Sequence, residues 1–288
     1  MDTILEVKNL RKNFKDFTLK DICFSIPKGF IMGFIGPNGA GKSTTIKLIM
    51  NLLKKDGGEI KIFGLDHIQH ENEIKNRIGF VFDENCFYEE LTILEMKKFV
   101  ASMYKNWEEN TFTKYLKEFQ LPPKKKIKDL SKGMKMKFSL AIALSHQAEL
   151  LIMDEPTSGL DHGARHELLD ILSYLIQDEN KGVLFSTHIT SDLDKIADYI
   201  TFIQNGEIIL STTKDEILDN YAVIKGDRNL LNQETRKYFI GIKENQFGFE
   251  GLISNKNELN RVFANHVVIE KPSLENIMIH YMRGKENV

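Results

Sequence analysis

The apolar positions of the chain follow two different spacings, which predict strands and helices in alternation. Residues 30–35 form a nearly unbroken apolar run, typical of a buried parallel strand. The strands are predicted at 3–8, 17–26, 30–35, 59–63, 150–153, 183–186 and 199–203, and the helices at about 42–53, 165–177 and 191–197. Such alternation is typical of βαβ units in a mainly parallel sheet, so the fold class is α/β.

A segment of purely helical character interrupts this alternation from about residue 87 to 147. Apolar residues recur at helical spacing over Met96–Tyr104 and again over Phe112–Phe119, and Pro122-Pro123 ends the second run. We interpret both apolar stripes as parts of a core. The segment is therefore predicted to be a helical subdomain.

The remaining pattern predicts where the chain divides into domains. Residues 59–63 alternate like an edge strand, and Asn205-Gly206 between two apolar runs predicts a hairpin turn. After about residue 213 the pattern changes to short strands and one or two helices. We therefore predict one domain over residues 1–212 and a small accessory α/β domain over residues 213–288.

Composition and charge narrow the classes of function. The net charge is −2, whereas nucleic-acid binding needs a basic excess, so we expect no nucleic-acid partner. The two cysteines indicate a reducing compartment, and we expect both as free thiols in or near the core. Neither a signal peptide nor an apolar run of the ~20 residues that span a bilayer is visible, so any membrane link is expected through a partner.

One segment has the complete pattern of a phosphate-binding loop, and it stands between a predicted strand and a predicted helix. Its glycines allow backbone N–H groups to point at phosphate, and the helix N-terminus adds partial positive charge. Lys42 is expected to reach the β- and γ-phosphates, and the Ser43 hydroxyl to bind Mg²⁺. The segment consists of Gly36, Pro37, Asn38, Gly39, Ala40, Gly41, Lys42, Ser43 and Thr44.

Two carboxylates follow the apolar strand 150–153. Neighbouring side chains on a strand diverge, so Asp154 and Glu155 can divide two tasks between them. We expect Asp154 to bind the Mg²⁺ shell and Glu155 to act as general base toward the attacking water. The alternative is a strand that simply runs into a polar loop.

Three further segments carry polar groups at the ends of predicted elements. Ser131 is a natural N-cap before an apolar helix, and Gly133 would allow a ligand to approach the backbone. By itself this could be a capped helix and nothing more. His188 ends a strand, where it can reach a γ-phosphate, and the segment Ser158–Asp161 lies just beyond Glu155.

Taken together and in this order, these segments resemble the ABC ATPases over about residues 2–212. The resemblance implies the ABC variant of the P-loop NTPase fold, with a mainly parallel core sheet, an antiparallel β subdomain and the helical subdomain. The six matching elements are the phosphate loop Gly36–Thr44, a segment around Asp83 equivalent to the glutamine loop, the signature Leu130–Met134, the strand with Asp154-Glu155, the aspartate loop Ser158–Asp161 and the switch histidine His188.

The resemblance also implies roles that the residues alone do not. ABC ATPase domains meet head to tail, with each ATP between one phosphate loop and the opposing signature, so Ser131 and Gly133 are expected to face the partner's ATP. Asp161 of the aspartate loop is also expected to help bind nucleotide. Phe14 matches the aromatic position that stacks on adenine. Asp83 stands where the family usually has Gln and is expected to contact Mg²⁺ or the attacking water.

Two other positions depart from the family pattern. Lys132 replaces a usual small residue of the signature, and its ammonium would either hold the γ-phosphate or lie in solvent. His162 stands where Pro commonly follows the aspartate loop. Lys42, Glu155 and His188 are intact, so we expect an active MgATP-hydrolysing enzyme.

The ending Lys271–Met278 and the single ATPase domain resemble bacterial drug- and peptide-exporter ATPases, including exporters of amphipathic peptides and bacteriocins. This implies a separate multi-span membrane subunit, a second ATPase subunit (a homodimer more than a heterodimer) and a peripheral location at the cytoplasmic face of the cell membrane. The main alternative is a soluble ABC ATPase of cluster assembly or translation. A GTPase switch lacks support because no Asn-Lys-x-Asp segment occurs.

Overall fold

The computed structural model of the chain describes residues 2–82, 86–256, 263 and 266–284. The described strands are β1 Thr3–Asn13, β2 Thr18–Pro27, β3 Ile31–Ile35, β4 Gly57–Ile62, β5 Leu65–Asp66, β6 Ile78–Val81, β7 Leu150–Asp154, β8 Gly182–Thr187, β9 Tyr199–Gln204, β10 Glu207–Thr213, β11 Ala222–Gly226, β12 Phe239–Asn245, β13 Gly248–Ile253 and β14 Val268–Glu270. The described α-helices are α1 Lys42–Ile49, α2 Glu71–Lys75, α3 Ile93–Ala101, α4 Glu109–Glu118, α5 Lys132–Ser145, α6 His162–Leu175, α7 Thr190–Ile196, α8 Lys214–Asn220 and α9 Leu274–Gly284.

A six-stranded sheet of order β10-β9-β3-β8-β7-β6 forms the centre of the molecule. Its strands are parallel except β10, which returns from β9 through a tight hairpin. Asn205 and Gly206 form that turn, and both have positive φ angles, 49° and 76°. The predicted parallel sheet and the predicted turn are therefore confirmed, and the carboxyl ends of β3, β7 and β8 lie side by side.

A second sheet, of order β2-β1-β4-β5, is antiparallel and packs against the core sheet through a shared hydrophobic cluster. The prediction of β4 as an edge strand is wrong, because β4 pairs with β1 on one side and with β5 on the other. A two-residue strand such as β5 is too short to have a period of its own, so the sequence pattern could not reveal it.

Helices α3, α4 and α5 form the helical subdomain. A capping box begins α3: Thr92 accepts from the Glu95 N–H, and the Glu95 side chain accepts from the Thr92 N–H. Phe112 and Leu116 of α4 are buried as predicted, and Met96 of α3 is too. The core prediction is wrong for Phe99 and Met103, which are exposed. Met103 lies beyond the end of α3 at Ala101, and Phe99 lies within α3 but away from its buried residues Ile93 and Met96.

The last part of the chain forms a third, antiparallel sheet of order β12-β13-β11-β14 together with α9. Helix α9 packs on α7 and β12, and the Tyr281 hydroxyl lies 2.9 Å from that of Tyr221. Leu274 and Ile277 of α9 belong to the same hydrophobic cluster as the core sheet. These elements are thus in direct contact with the central sheet.

The structure also bears on the two cysteines and on membrane-spanning segments. Cys23 and Cys86 are free thiols, as expected, but both are exposed and neither is part of the core. At Cys23 the strand alternation directs the side chain outward, between the buried Ile22 and Phe24. Over the stretches that the structure describes, no helix is long and apolar enough to cross a membrane.

Candidate nucleotide-hydrolysis site

The phosphate loop connects the buried strand β3 to helix α1, and two of its glycines are required by geometry. Gly41 has a φ of +113°, and a Cβ there would lie 2.6 Å from the Leu19 Cδ2 atom. A Cβ on Gly36 would lie 2.3 Å from the Ile203 carbonyl oxygen. Larger residues would therefore displace the loop from the strands behind it. The sequence pattern thus folds into the tight loop that phosphate binding needs.

Lys42 is the first residue of α1 and is almost completely buried. Its Nζ donates to the carbonyl oxygens of Gly36, at 2.8 Å, and Pro37, at 3.3 Å. The same Nζ lies 3.2 Å from Glu155 Oε1, which supplies a negative charge. The ammonium is therefore held by the loop it belongs to and by the carboxylate expected to act as base.

Glu155 follows directly after β7 and adopts an unusual backbone conformation, with a φ of +49°. Its N–H donates to the Ser186 carbonyl at 3.0 Å, which fixes the turn against β8. Its Oε2 lies 2.8 Å from His188 Nδ1 and accepts from the His188 N–H at 3.3 Å. A positive φ in a residue other than glycine is uncommon and often marks a functional site. The turn brings the Glu155 carboxylate between Lys42 and His188.

Asp154 is the last residue of β7, and its Oδ1 accepts from the Ser186 hydroxyl at 2.8 Å. The parallel register of β7 and β8 places these two residues opposite each other. Among the described residues, the Ser186 hydroxyl donates to only one of the two carboxylate oxygens of Asp154. Ser43 lines the neighbouring cleft, so the donors on this side are carboxylate and hydroxyl oxygens. Hard oxygen donors are those that Mg²⁺ prefers, and the residues therefore fit the ion.

A cleft of about 390 Å³ joins these groups. It brings together the phosphate loop, the proposed base and the switch histidine from three separate chain segments. The lining residues are Phe17, Asn38, Gly39, Gly41, Lys42, Ser43, Thr44, Glu155, Ser158 and His188. This arrangement can hold a polyphosphate on backbone N–H groups with a carboxylate and an imidazole beside it.

Phe17 lines this cleft although the sequence analysis does not single it out. Phe14, the expected adenine-stacking residue, is not among the lining residues, and its ring centroid lies 6.4 Å from that of Phe17. A backbone bond from the Phe14 N–H to the Phe17 carbonyl closes the turn between β1 and β2. The sequence signal that could have pointed to Phe17 is the presence of a second aromatic residue only three positions after Phe14. Phe14 thus stays a prediction, with Phe17 as a second candidate.

Other expected nucleotide-binding residues do not lie in this cleft. Ser131 caps α5 by accepting from the Met134 N–H at 3.2 Å, and Asp161 caps α6 by accepting from the Ala164 N–H at 2.9 Å. Gly133 packs against α6, where a Cβ would lie 3.1 Å from that of Ala164. Asp83 lies outside the described residues.

The structure shows where the side chain of Lys132, one of the two departures from the family pattern, lies. This residue begins α5 and is exposed, and its Nζ would lie 3.4 Å from a Cβ placed on Gly159. The side chain therefore extends along the segment Ser158–Asp161. The structure joins the signature to the aspartate loop in the same chain.

Comparison with known proteins decides the family. The sequence profile of the ABC transporter family matches residues 19–158. The lantibiotic transport ATP-binding protein SrtF of Streptococcus pyogenes is 35% identical over 215 residues, which are 74% of this chain and 92% of that protein. The chain belongs to the ABC transporter ATP-binding proteins. The bacitracin transport ATP-binding protein BcrA of Bacillus licheniformis is 33% identical over 212 residues, 73% of this chain and 69% of that protein.

Solved structures agree with this assignment. The ATP-binding subunit of an ABC transporter has a TM-score of 0.69 and 31% identity, covering 75% of this chain and 92% of that one. The expected ABC ATPase fold is therefore confirmed. So is the expected activity: an ABC transporter subunit of this kind binds ATP and couples its hydrolysis to transport. Membership in this family implies a membrane partner.

Proposed function

We propose that this ABC transporter ATPase drives the export of an amphipathic peptide or a related drug or lipid-like molecule through a separate membrane subunit. The support for the cargo class is the similarity to proteins named for bacitracin and lantibiotic transport. The observation that carries the chemistry is the meeting of Lys42, Glu155 and His188 in one cleft.

The proposed hydrolysis assigns one task to each of these side chains. Lys42 and the loop N–H groups hold the β- and γ-phosphates. The Glu155 carboxylate accepts a proton from the water that attacks the γ-phosphorus, while the bond from that phosphorus to the β,γ-bridging oxygen breaks and ADP leaves with the electron pair. His188 orients that carboxylate and contacts the γ-phosphate. Ser43 and Asp154, with Asp83 at the position where the family usually has Gln, would hold Mg²⁺, which would supply neutralisation of phosphate charge.

We further propose that two copies of the chain close head to tail on MgATP. This arrangement would give the N-terminus of α5 a ligand in the partner, because the exposed Ser131 lies outside the cleft of its own chain. Ser131, Gly133 and Asp161 would then contact the ATP of the partner, at a site beside the cytoplasmic face of the cell membrane. Residues 1–212 form the ATPase domain in this proposal, and residues 213–288 an accessory domain.

A Glu155→Gln variant tests the closed dimer. Size-exclusion chromatography with MgATP is expected to show twice the monomer mass, and adding Ser131→Arg is expected to return it to the monomer. Ser102→Arg serves as the matched control, because Ser102 is exposed at the end of α3, away from the cleft. A dimer that persists with Ser131→Arg would contradict the head-to-tail arrangement.

The partner and cargo are tested in the native host. Tagged Glu155→Gln protein with MgATP is expected to co-purify one multi-span membrane protein from detergent-solubilised membranes. Deleting this chain is then expected to raise the cell's sensitivity to amphipathic antimicrobial peptides. Recovery only with ribosomes or assembly factors would leave the ATPase intact and overturn the exporter proposal.

A further inference from the structure

An ion pair between two residues that do not line the cleft has no role in the chemistry described so far. Arg165 of α6 and Asp192 of α7 face each other, with 3.9 Å between Arg165 Nε and Asp192 Oδ2. The Asp192 side chain is 2% exposed and that of Arg165 is 23% exposed. A charged carboxylate this deeply buried needs a close partner, because burial of an isolated charge is costly.

The separation of the two groups is too long for a hydrogen bond. Charge-assisted N–H···O bonds are about 2.7–2.9 Å long, whereas this pair is at 3.9 Å. Within the described part of the chain, neither Arg165 Nε nor Asp192 Oδ2 has a hydrogen-bond partner. A relative movement of about 1 Å between the two helices would make the bond. The pair can therefore favour one relative position of α6 and α7 over another.

The location of the pair gives such a movement a consequence. Helix α6 begins directly after Asp161, and the Arg165 N–H donates to the Asp161 carbonyl at 3.0 Å. Helix α7 begins two residues after His188, and Asp192 lies in its first turn. The pair thus joins the helix that starts at the aspartate loop to the helix that starts at the switch histidine.

We propose that Arg165 and Asp192 are positioning residues for ATP hydrolysis, which set the position of His188 relative to the aspartate loop by closing their ion pair. Neither touches the cleft, and each acts through the helix that carries it. This proposal rests on the role proposed above for His188. The rival explanation is a purely structural pair that holds α6 on α7 without affecting turnover.

Single and double substitutions separate the two explanations. Asp192→Asn and Arg165→Gln are each expected to lower kcat about tenfold or more while KM for ATP changes less than about twofold, because the phosphate loop is untouched. The double variant is expected to be no slower than the slower single variant, since both changes break one link. Glu167→Gln is the matched control, because it removes a different ion pair of α6, the one with Lys137, and is expected to leave kcat unchanged.

A longer side chain provides the decisive measurement. Asp192→Glu adds one methylene, about 1.5 Å of reach, which is enough to close the gap. We expect this variant to keep or raise kcat and to melt at a higher temperature, even if Asp192→Asn fails to fold. The proposal is overturned if Asp192→Glu is as slow as Asp192→Asn, if the single losses multiply in the double variant, or if the melting temperature falls while kcat per folded protein is unchanged.

Failure of this proposal can be told from failure of the hydrolytic assignment. Glu155→Gln and His188→Ala are measured in parallel under the same conditions. If both turn over normally, the roles of Glu155 and His188 are wrong. If both are inactive while the Arg165 and Asp192 variants retain normal kcat, only the positioning role is wrong.

Discussion

Glu155→Gln is predicted to change the stability of the nucleotide-free protein as well as its turnover. The substitution keeps the size of the side chain and its ability to hydrogen-bond, but removes its charge. Lys42 then loses a counter-ion 3.2 Å away while keeping its bonds to two loop carbonyls. With side chains only 6% and 13% exposed, solvent can compensate little of that loss.

The magnitude follows from what remains around the ammonium. Removing one member of a fully buried ion pair costs about 3–5 kcal/mol. Here Lys42 still donates to the carbonyls of Gly36 and Pro37, and the glutamine oxygen can accept a further bond, so about 1–2 kcal/mol is a more reasonable estimate. For a chain of 288 residues that lowers Tm by roughly 2–3 °C. Loss of the general base is expected to reduce kcat by about 10²–10⁴.

Bound ATP should reduce the stability difference. The phosphates supply Lys42 with the negative charge that the glutamine lacks, so the rise in Tm on adding MgATP is expected to be larger for Glu155→Gln than for the parent chain. Differential scanning fluorimetry with and without MgATP measures both shifts, and phosphate release measures turnover. Equal Tm values without nucleotide, together with equal shifts on adding it, would show that the ion pair contributes nothing. Normal phosphate release would refute the base assignment.

Three further predictions concern other parts of the molecule. Phe17→Ala is expected to weaken ATP binding by about tenfold and Phe14→Ala by less, by isothermal titration; the reverse order would return Phe14 to the adenine position. Gly79→Ala would place a Cβ 2.5 Å from side chains of α5 and β7 and should lower the free energy of unfolding, measured by urea denaturation, by about 1–3 kcal/mol. Burial lowers the pKa of His67, so its contribution to stability is complete above the unfolded pKa of 6.5 and is lost as pH falls through the lower folded pKa. His67→Gln should therefore reduce the drop in Tm between about pH 7.5 and 5.5, and an unchanged drop would contradict this.

Much of the core could be predicted from the sequence because its strands are buried on both faces. The run Leu150–Met153 has an unbroken apolar pattern, and the structure buries every residue of it in β7. The phosphate loop was equally clear, since only glycine fits at Gly36 and Gly41. Where the physical requirement on a position is strict, the residue type reveals it.

Other features depend on contacts that the sequence pattern does not contain. The exposure of Met103 follows from where α3 ends, and the helical spacing of apolar residues continues past that point. The presence of Phe17 in the cleft depends on a turn that brings one of two similar rings inward. The Lys42–Glu155 contact joins residues more than a hundred positions apart, and no local pattern predicts its distance.

The topology explains why some expected site residues meet in one chain and others do not. The phosphate loop, Glu155 and His188 each follow a parallel strand of the same sheet, β3, β7 and β8, so they emerge at a common edge. Helix α5 does not directly follow a core strand: it begins at Lys132, after its N-cap Ser131, in the helical subdomain and ends at Ser145, shortly before β7. The N-terminus of α5 is therefore carried away from that edge. The proposed head-to-tail dimer would place the signature against the ATP of a second subunit, and the Ser131→Arg experiment tests that arrangement.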